Sequence, residues 1–150
     1  MYKLWALVLS LLSFNALSFD LTLIDKEGNK HSFTKEQLLE LEQHQINTEL
    51  PWIEGSAEFS GIYVQDLISQ ADLTMPEQIT FVALNDYKVT VPSEDFTAIK
   101  PVFAIYKDGE AMSVRDKGPY WLVYPLSDRP EINEPDTHAK MIWQIKEIHF

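Results

Sequence analysis

The sequence contains no cysteine, only five glycines, and 12 lysines and arginines against 23 aspartates and glutamates. The lack of thiols excludes disulfides, thiolate metal ligands and cysteine nucleophiles. The glycines are scattered singly, so they form no phosphate-binding loop. The formal net charge of −11 repels nucleic-acid backbones and anionic lipid headgroups, and neither is an expected partner.

The composition is that of a protein able to bury a core. The chain has 150 residues, of which 45% are hydrophobic, 12% aromatic and 23% charged. These values argue against disorder, collagen or a coiled coil. The length fits one domain, which we place at residues 19–150.

Residues 1–18 have the order of a secretory signal peptide: Lys3, an apolar run over 4–12, and Ala16-Leu17-Ser18. We predict cleavage after Ser18. An uncleaved anchor would need about 20 apolar residues, and polar residues at 10, 13 and 15 interrupt this run. The expected protein is therefore periplasmic, without direct membrane insertion once the leader is removed. Loss of Lys3 makes it one charge unit more acidic.

Helical signals lie in the first half of the chain and strand signals dominate the second half. A hairpin is predicted over 19–24 and 30–33, a helix after a capping box at Thr34, and a second helix over 64–71. Residues 45–48 could add a strand, and 49–56 form a loop. Strands are then expected over 79–84, 88–91, 102–106, 120–124 and 142–150, with a polar excursion at 126–140. This order indicates an α+β domain with a mixed or antiparallel sheet.

No catalytic or metal-binding constellation is evident. The histidines at 31, 44, 138 and 149 lack the i, i+3 or i, i+4 spacing that pairs ligands on a helix. No serine lies in a Gly-x-Ser-x-Gly elbow. The adjacent Glu94 and Asp95 are expected to cap or solvate a turn. We expect no metal site.

Five segments nevertheless form a recognisable series. They are FSGIYVQDLI at 59–68, ALNDY at 83–87, DGEAM at 108–112, RDKGPYWLVYP at 115–125 and IWQIKEI at 142–148. Together they resemble the molybdopterin-binding domain of the sulfite oxidase family, especially its short exported members, over residues 45–148. The resemblance implies an α+β fold with a mixed sheet, a pterin bound in loops at the sheet edge, and oxygen-atom or electron transfer.

The resemblance breaks at the positions that hold the cofactor. The family's molybdenum-binding Cys should fall near Asn47 or Thr48, and this chain has none. Trp121 stands where an Arg would contact the cofactor phosphate, and Ile142 replaces a Lys before Trp143. A neutral amide or hydroxyl is a poor substitute for an anionic, polarisable thiolate. We therefore expect no cofactor, with molybdopterin as the alternative.

Aromatic and polar residues remain dense in the loops that the family uses for its pterin. We predict a ligand-binding site formed by Trp52, Asn85, Asp86, Tyr87, Arg115, Lys117, Tyr120 and Trp121. One hypothesis is that Trp121, Tyr87 and Arg115 form its floor; the alternative is that Trp121 belongs to the core. The favoured function is a non-catalytic exported binding or sensory domain, with a small molecule or an exported or membrane-bound sensor protein as its partner. The alternative is a small molybdopterin-dependent oxidoreductase.

Overall fold

The computed structural model describes residues 19–150, so the predicted leader over 1–18 lies outside the described residues. Strands β1 to β10 span Leu21–Ile24, Lys30–Phe33, His44–Glu49, Ser56–Ile62, Gln78–Ala83, Lys88–Pro92, Val102–Lys107, Glu110–Ala111, Trp121–Val123 and Ile145–His149. Helices α1 to α4 span Lys35–Glu40, Val64–Gln70, Ser93–Ala98 and Pro135–Lys140. Among residues 19–150, no helix is long and apolar enough to span a lipid bilayer.

The strands form two sheets. The first has the order β2-β1-β10-β5-β6 and is mixed, because β1 and β10 run parallel while the other neighbours are antiparallel. The second has the order β3-β4-β7-β8, with β9 also pairing to β7, and all of its pairs are antiparallel. The α+β class is thus confirmed, although the strands divide between two sheets instead of forming one.

One hydrophobic cluster joins the two sheets. Leu23 and Ile148 enter it from the first sheet, and Phe59 and Phe103 from the second; each is 0% exposed. Strand β4 approaches β7 so closely that a Cβ on Gly61 would lie 1.9 Å from the carbonyl oxygen of Phe103. Only glycine permits this packing without a shift of the backbone.

Local sequence signals explain several boundaries. The predicted capping box is present. The backbone N–H of Gln37 donates to Thr34 Oγ1 at 3.2 Å, and the backbone N–H of Thr34 donates to Gln37 Oε1 at 2.8 Å. The predicted turn at 85–86 joins β5 to β6, with Asp86 N–H donating to the Ala83 carbonyl at 2.9 Å. Asp86 has a φ of +67°, which Asp tolerates better than most residues.

Other predictions differ from the structure. Helices α3 and α4 occupy segments predicted as a turn and a polar excursion. The last strand begins at Ile145 instead of residue 142, because Gln144 has a φ of +55° and breaks the extended run. The segment before Ile145 forms one wall of the candidate site.

Candidate functional site

A cavity of about 300 Å³ opens beside the end of β5. Four parts of the chain meet around it: the β3–β4 loop, the β5–β6 turn, the end of α4 and the segment before β10. We refer to it as the aromatic cavity. Its lining residues are Trp52, Ala83, Asn85, Tyr87, His138, Ala139, Met141, Ile142, Trp143 and Gln144.

Three rings build its walls. The Trp52 ring centroid lies 5.3 Å from that of Trp143 and 5.9 Å from that of His138, with interplanar angles of 74° and 72°. The rings of Trp143 and His138 therefore make edge-to-face contacts with the indole of Trp52. The electrostatic quadrupoles of aromatic rings favour this geometry. Tyr87 is 57% exposed, an unusual exposure for a large aromatic side chain.

The predicted site residues Trp52, Asn85 and Tyr87 therefore come together at one cavity. Asp86 lies in the same turn but does not line the cavity. Its carboxylate pairs with Lys146 at 2.7 Å, and this hydrogen bond lowers the pKa of Asp86. The ion pair ties the turn to β10.

Trp121 belongs to the core and does not form the floor of the cavity. It is 1% exposed, and its ring packs against Phe59 at 5.3 Å and behind Trp52 at 6.1 Å. Its Nε1 donates a hydrogen bond to the Met141 carbonyl at 3.0 Å. The sequence hypothesis of a floor made by Trp121, Tyr87 and Arg115 is wrong in its geometry, because Trp121 is buried and neither it nor Arg115 lines the cavity.

Tyr120 is equally buried, with 1% exposure. Its hydroxyl donates to the carbonyl of Phe19 at 2.9 Å, and its ring stacks on Phe103 at 5.2 Å. Burial raises the pKa of Tyr120 to about 12. This residue therefore fixes the first described residues against β7 and does not reach the cavity.

The two predicted cations also lie outside the lining. Arg115 is exposed on a 3₁₀ turn at Val114–Asp116. The Lys117 ammonium lies 4.9 Å from the ring centroid of Trp143 and 5.8 Å from that of Trp121. Lys117 thus makes a cation–π contact with a ring of the cavity wall without contributing to the lining.

Gln144 connects the turn around residues 114–117 to the cavity wall. Its backbone N–H donates to the Lys117 carbonyl at 3.0 Å, and its Nε2 donates to the Val114 carbonyl at 2.7 Å. Its own carbonyl accepts from Leu84 N–H at 2.8 Å. These bonds hold the wall segment between the turn and the end of β5.

Helix α4 is anchored by a buried polar cluster. The Asp95 carboxylate, 8% exposed, accepts from the Tyr124 hydroxyl at 2.7 Å and from Lys140 Nζ at 2.8 Å. Burial and the bond to Asp95 raise the pKa of Tyr124. Asp95 does not cap or solvate a turn as the sequence suggested; it fixes the helix that carries His138.

Sequence reasoning missed His138, Met141, Trp143 and Gln144 as lining residues. Pro135 was the available signal for α4, because proline is favoured in the first turn of a helix. Trp143 lies in a segment that the sequence pattern predicts as a strand, so it was not distinguished from other strand residues. Its role depends on the positive φ of Gln144, which sequence periodicity does not reveal.

Comparison with solved structures finds a similar fold. The chain matches the sulfane dehydrogenase SoxCD from Paracoccus pantotrophus with a TM-score of 0.62 and 18% identity, covering 87% of this chain. The two proteins share one fold. The α+β, sulfite oxidase-like fold predicted from the motifs is thereby confirmed as a fold. This chain spans only 37% of the length of that chain. No protein-family model and no curated protein sequence matches it.

The residues at the expected ligand position do not fit a molybdenum pterin. Thr48 is 0% exposed; its Oγ1 donates to the Glu49 carbonyl at 3.0 Å and accepts from Ser127 N–H at 3.1 Å. The preceding Asn47 is exposed on β3. Neither the buried hydroxyl of Thr48 nor the neutral amide of Asn47 is an anionic, polarisable ligand for a metal. Across the described residues, no group of three or more His, Asp or Glu side chains could hold a metal ion.

Proposed function

We propose that the protein is an exported accessory domain that binds a small molecule in the aromatic cavity and performs no redox chemistry. The observation that carries this proposal is the set of half-buried rings around an open space of about 300 Å³. Ligand sites are usually concave and aromatic, with a few polar groups. We propose that its partner is a sensor protein, either exported or membrane-bound, which recognises the ligand-bound form of the domain.

The exposure of the rings supports binding over simple packing. Trp121 shows what packing produces in this protein: full burial and a satisfied Nε1. Trp52 and Trp143 instead remain half-buried, and Tyr87 is largely exposed. Exposing several large aromatic side chains at one place has a solvation cost that a bound ring or partner side chain would remove.

A molybdopterin-dependent oxidoreductase is the alternative, and the shared fold favours it. The residues at the ligand position oppose it, because Thr48 is buried and already hydrogen-bonded. No Lys or Arg lines the aromatic cavity to receive a phosphate. A fold hosts many functions, so the side chains decide between the two.

Binding can be followed through the indole N–H signals of Trp52, Trp121 and Trp143 in NMR spectra of the exported protein. We propose titration with one- and two-ring aromatic compounds that are cationic, anionic or neutral. At least one compound should move the Trp52 and Trp143 signals saturably, with a smaller effect on the buried Trp121. Trp143→Ala should abolish the response, whereas Tyr106→Ala, outside the cavity, should retain it. No saturable shift from the whole panel would contradict the proposed function.

A further inference from the structure

No Lys, Arg, Asp or Glu is among the residues that line the aromatic cavity. The polar side chains of the lining are the amides of Asn85 and Gln144, the imidazole of His138, the hydroxyl of Tyr87 and the indole N–H groups of Trp52 and Trp143. Lys, Arg, Asp and Glu make up 23% of the chain, yet none of them lines the cavity. A bound ion would therefore find no carboxylate, ammonium or guanidinium in the lining itself to replace its lost hydration.

The two amides present one donor and one acceptor. Asn85 Oδ1 accepts from Tyr87 N–H at 3.2 Å, which leaves its Nδ2 as an available donor. Gln144 Nε2 uses one of its two N–H groups to donate to the Val114 carbonyl at 2.7 Å, which leaves Oε1 as an available acceptor. Within residues 19–150, neither Asn85 Nδ2 nor Gln144 Oε1 makes a hydrogen bond to the protein.

These two amides belong to neighbouring segments. The backbone N–H of Leu84, directly before Asn85, donates to the Gln144 carbonyl at 2.8 Å. One donor and one acceptor on adjoining segments complement a group that itself has one acceptor and one donor. A primary carboxamide or a lactam edge has this pattern; a carboxylate has only acceptors and an amidinium only donors.

Two charges outside the lining each oppose one sign of ion. The Lys117 ammonium already lies over the ring of Trp143, so its positive charge opposes a second cation at that ring. The net charge of −11 opposes approach of an anion. An uncharged ring avoids both penalties and still stacks on indole.

On the basis of the proposed function, we propose that the aromatic cavity selects an uncharged planar ring that carries a carboxamide or lactam edge. The ring lies against Trp52 and Trp143. Its carbonyl oxygen accepts from Asn85 Nδ2, and its N–H donates to Gln144 Oε1. Selectivity comes from the donor–acceptor match, since a mismatched polar group would leave a buried atom without a partner.

Three probes of nearly identical shape test this assignment: benzamide, benzoate and benzamidinium. Each is titrated into the exported protein at neutral pH while the indole signals of Trp52 and Trp143 are followed. Benzamide should bind at least tenfold more tightly than either ion. Tightest binding of benzamidinium or benzoate would overturn the inference but leave the proposed function intact. Binding of none of the three would also overturn the inference.

Asn85→Asp provides a second test, because aspartate can still accept from Tyr87 N–H while replacing the free donor by a negative oxygen. The variant should bind benzamide severalfold more weakly and benzamidinium more tightly than wild type. Asn47→Asp adds the same charge on β3, outside the lining, and should leave the order of the three probes unchanged. An unchanged order in Asn85→Asp, with Asn47→Asp also unchanged, would contradict the role of the Asn85 amide.

Discussion

The indole Nε1 of Trp121 donates a hydrogen bond to the carbonyl oxygen of Met141 at 3.0 Å, and Met141 lines the aromatic cavity. A residue of the core thus holds a wall of the candidate site from behind. The antiparallel bridge between Trp121 and Trp143 adds a backbone link between the same two segments. Core packing and cavity shape are therefore coupled at β9.

Replacing Trp121 should mainly cost stability. Trp121→Ala removes a side chain that is 1% exposed, and we expect a loss of about 3 to 5 kcal/mol in the free energy of unfolding. Trp121→Phe keeps much of the volume, loses the bond to Met141 and should cost less. Urea denaturation measures both. A loss below about 1 kcal/mol for Trp121→Ala would contradict its place in the core.

Tyr87 should show the opposite behaviour. Because it is 57% exposed, Tyr87→Ala should change the free energy of unfolding by no more than about 0.5 kcal/mol. It should weaken benzamide binding severalfold, since the ring lines the cavity. Phe19→Ala, which truncates an exposed aromatic outside the lining, is the control and should leave binding unchanged. Equal affinities in wild type and Tyr87→Ala would remove Tyr87 from the site.

Asp95 should be important for stability through its two partners. Asp95→Ala leaves the Tyr124 hydroxyl and the Lys140 ammonium without their acceptor, and we expect a loss of about 1.5 to 3 kcal/mol in the free energy of unfolding. Asp86→Ala breaks the exposed pair with Lys146 and should have a much smaller effect. Thermal or urea unfolding measures the loss in the free energy of unfolding for each variant. Equal losses would show that the buried cluster does not anchor α4.

Asp25 should make stability depend on pH in the acidic range. Its carboxylate is bonded to His31 and to Asn29 and Glu27 N–H, and the bond to His31 is the largest cause that lowers its pKa from 3.8 to about 2. The unfolded chain binds this proton more readily than the folded chain. The stabilisation is therefore complete above about pH 4 and is lost as the pH falls towards 2. The stability difference between wild type and Asp25→Asn, measured by urea unfolding, should narrow over that interval. A constant difference from pH 5 to pH 2 would contradict this role.

The sequence predicted elements that depend on local chemistry. The capping box at Thr34 and the turn at Asp86 need only neighbouring residues, and both are present. Helix α3 was missed because it has six residues and only Phe96 as a large buried apolar side chain. Such a helix depends on tertiary packing, including the hydrogen bond that Asp95 accepts from the hydroxyl of Tyr124, 29 residues away in the chain.

The candidate site was predictable only in part for the same reason. Trp52, Asn85 and Tyr87 lie in loops, where aromatic and amide side chains stand out as candidates for binding. Trp121 and Tyr120 were assigned to the site by the motif, but both side chains are buried in the core. The roles of Trp143 and Gln144 depend on long-range bonds from Gln144 to Lys117 and Val114, which no local pattern records.

The molybdenum content of the protein, isolated from cells that make the molybdenum cofactor, tests the central claim most directly. The claim is that this chain uses a sulfite oxidase-like fold to bind a small molecule without that cofactor, because Thr48 is buried and bonded to Ser127 at the ligand position. Elemental analysis with parallel assay of released pterin should find both far below one equivalent per chain. Molybdenum and pterin at close to one equivalent each would contradict the account and favour the oxidoreductase.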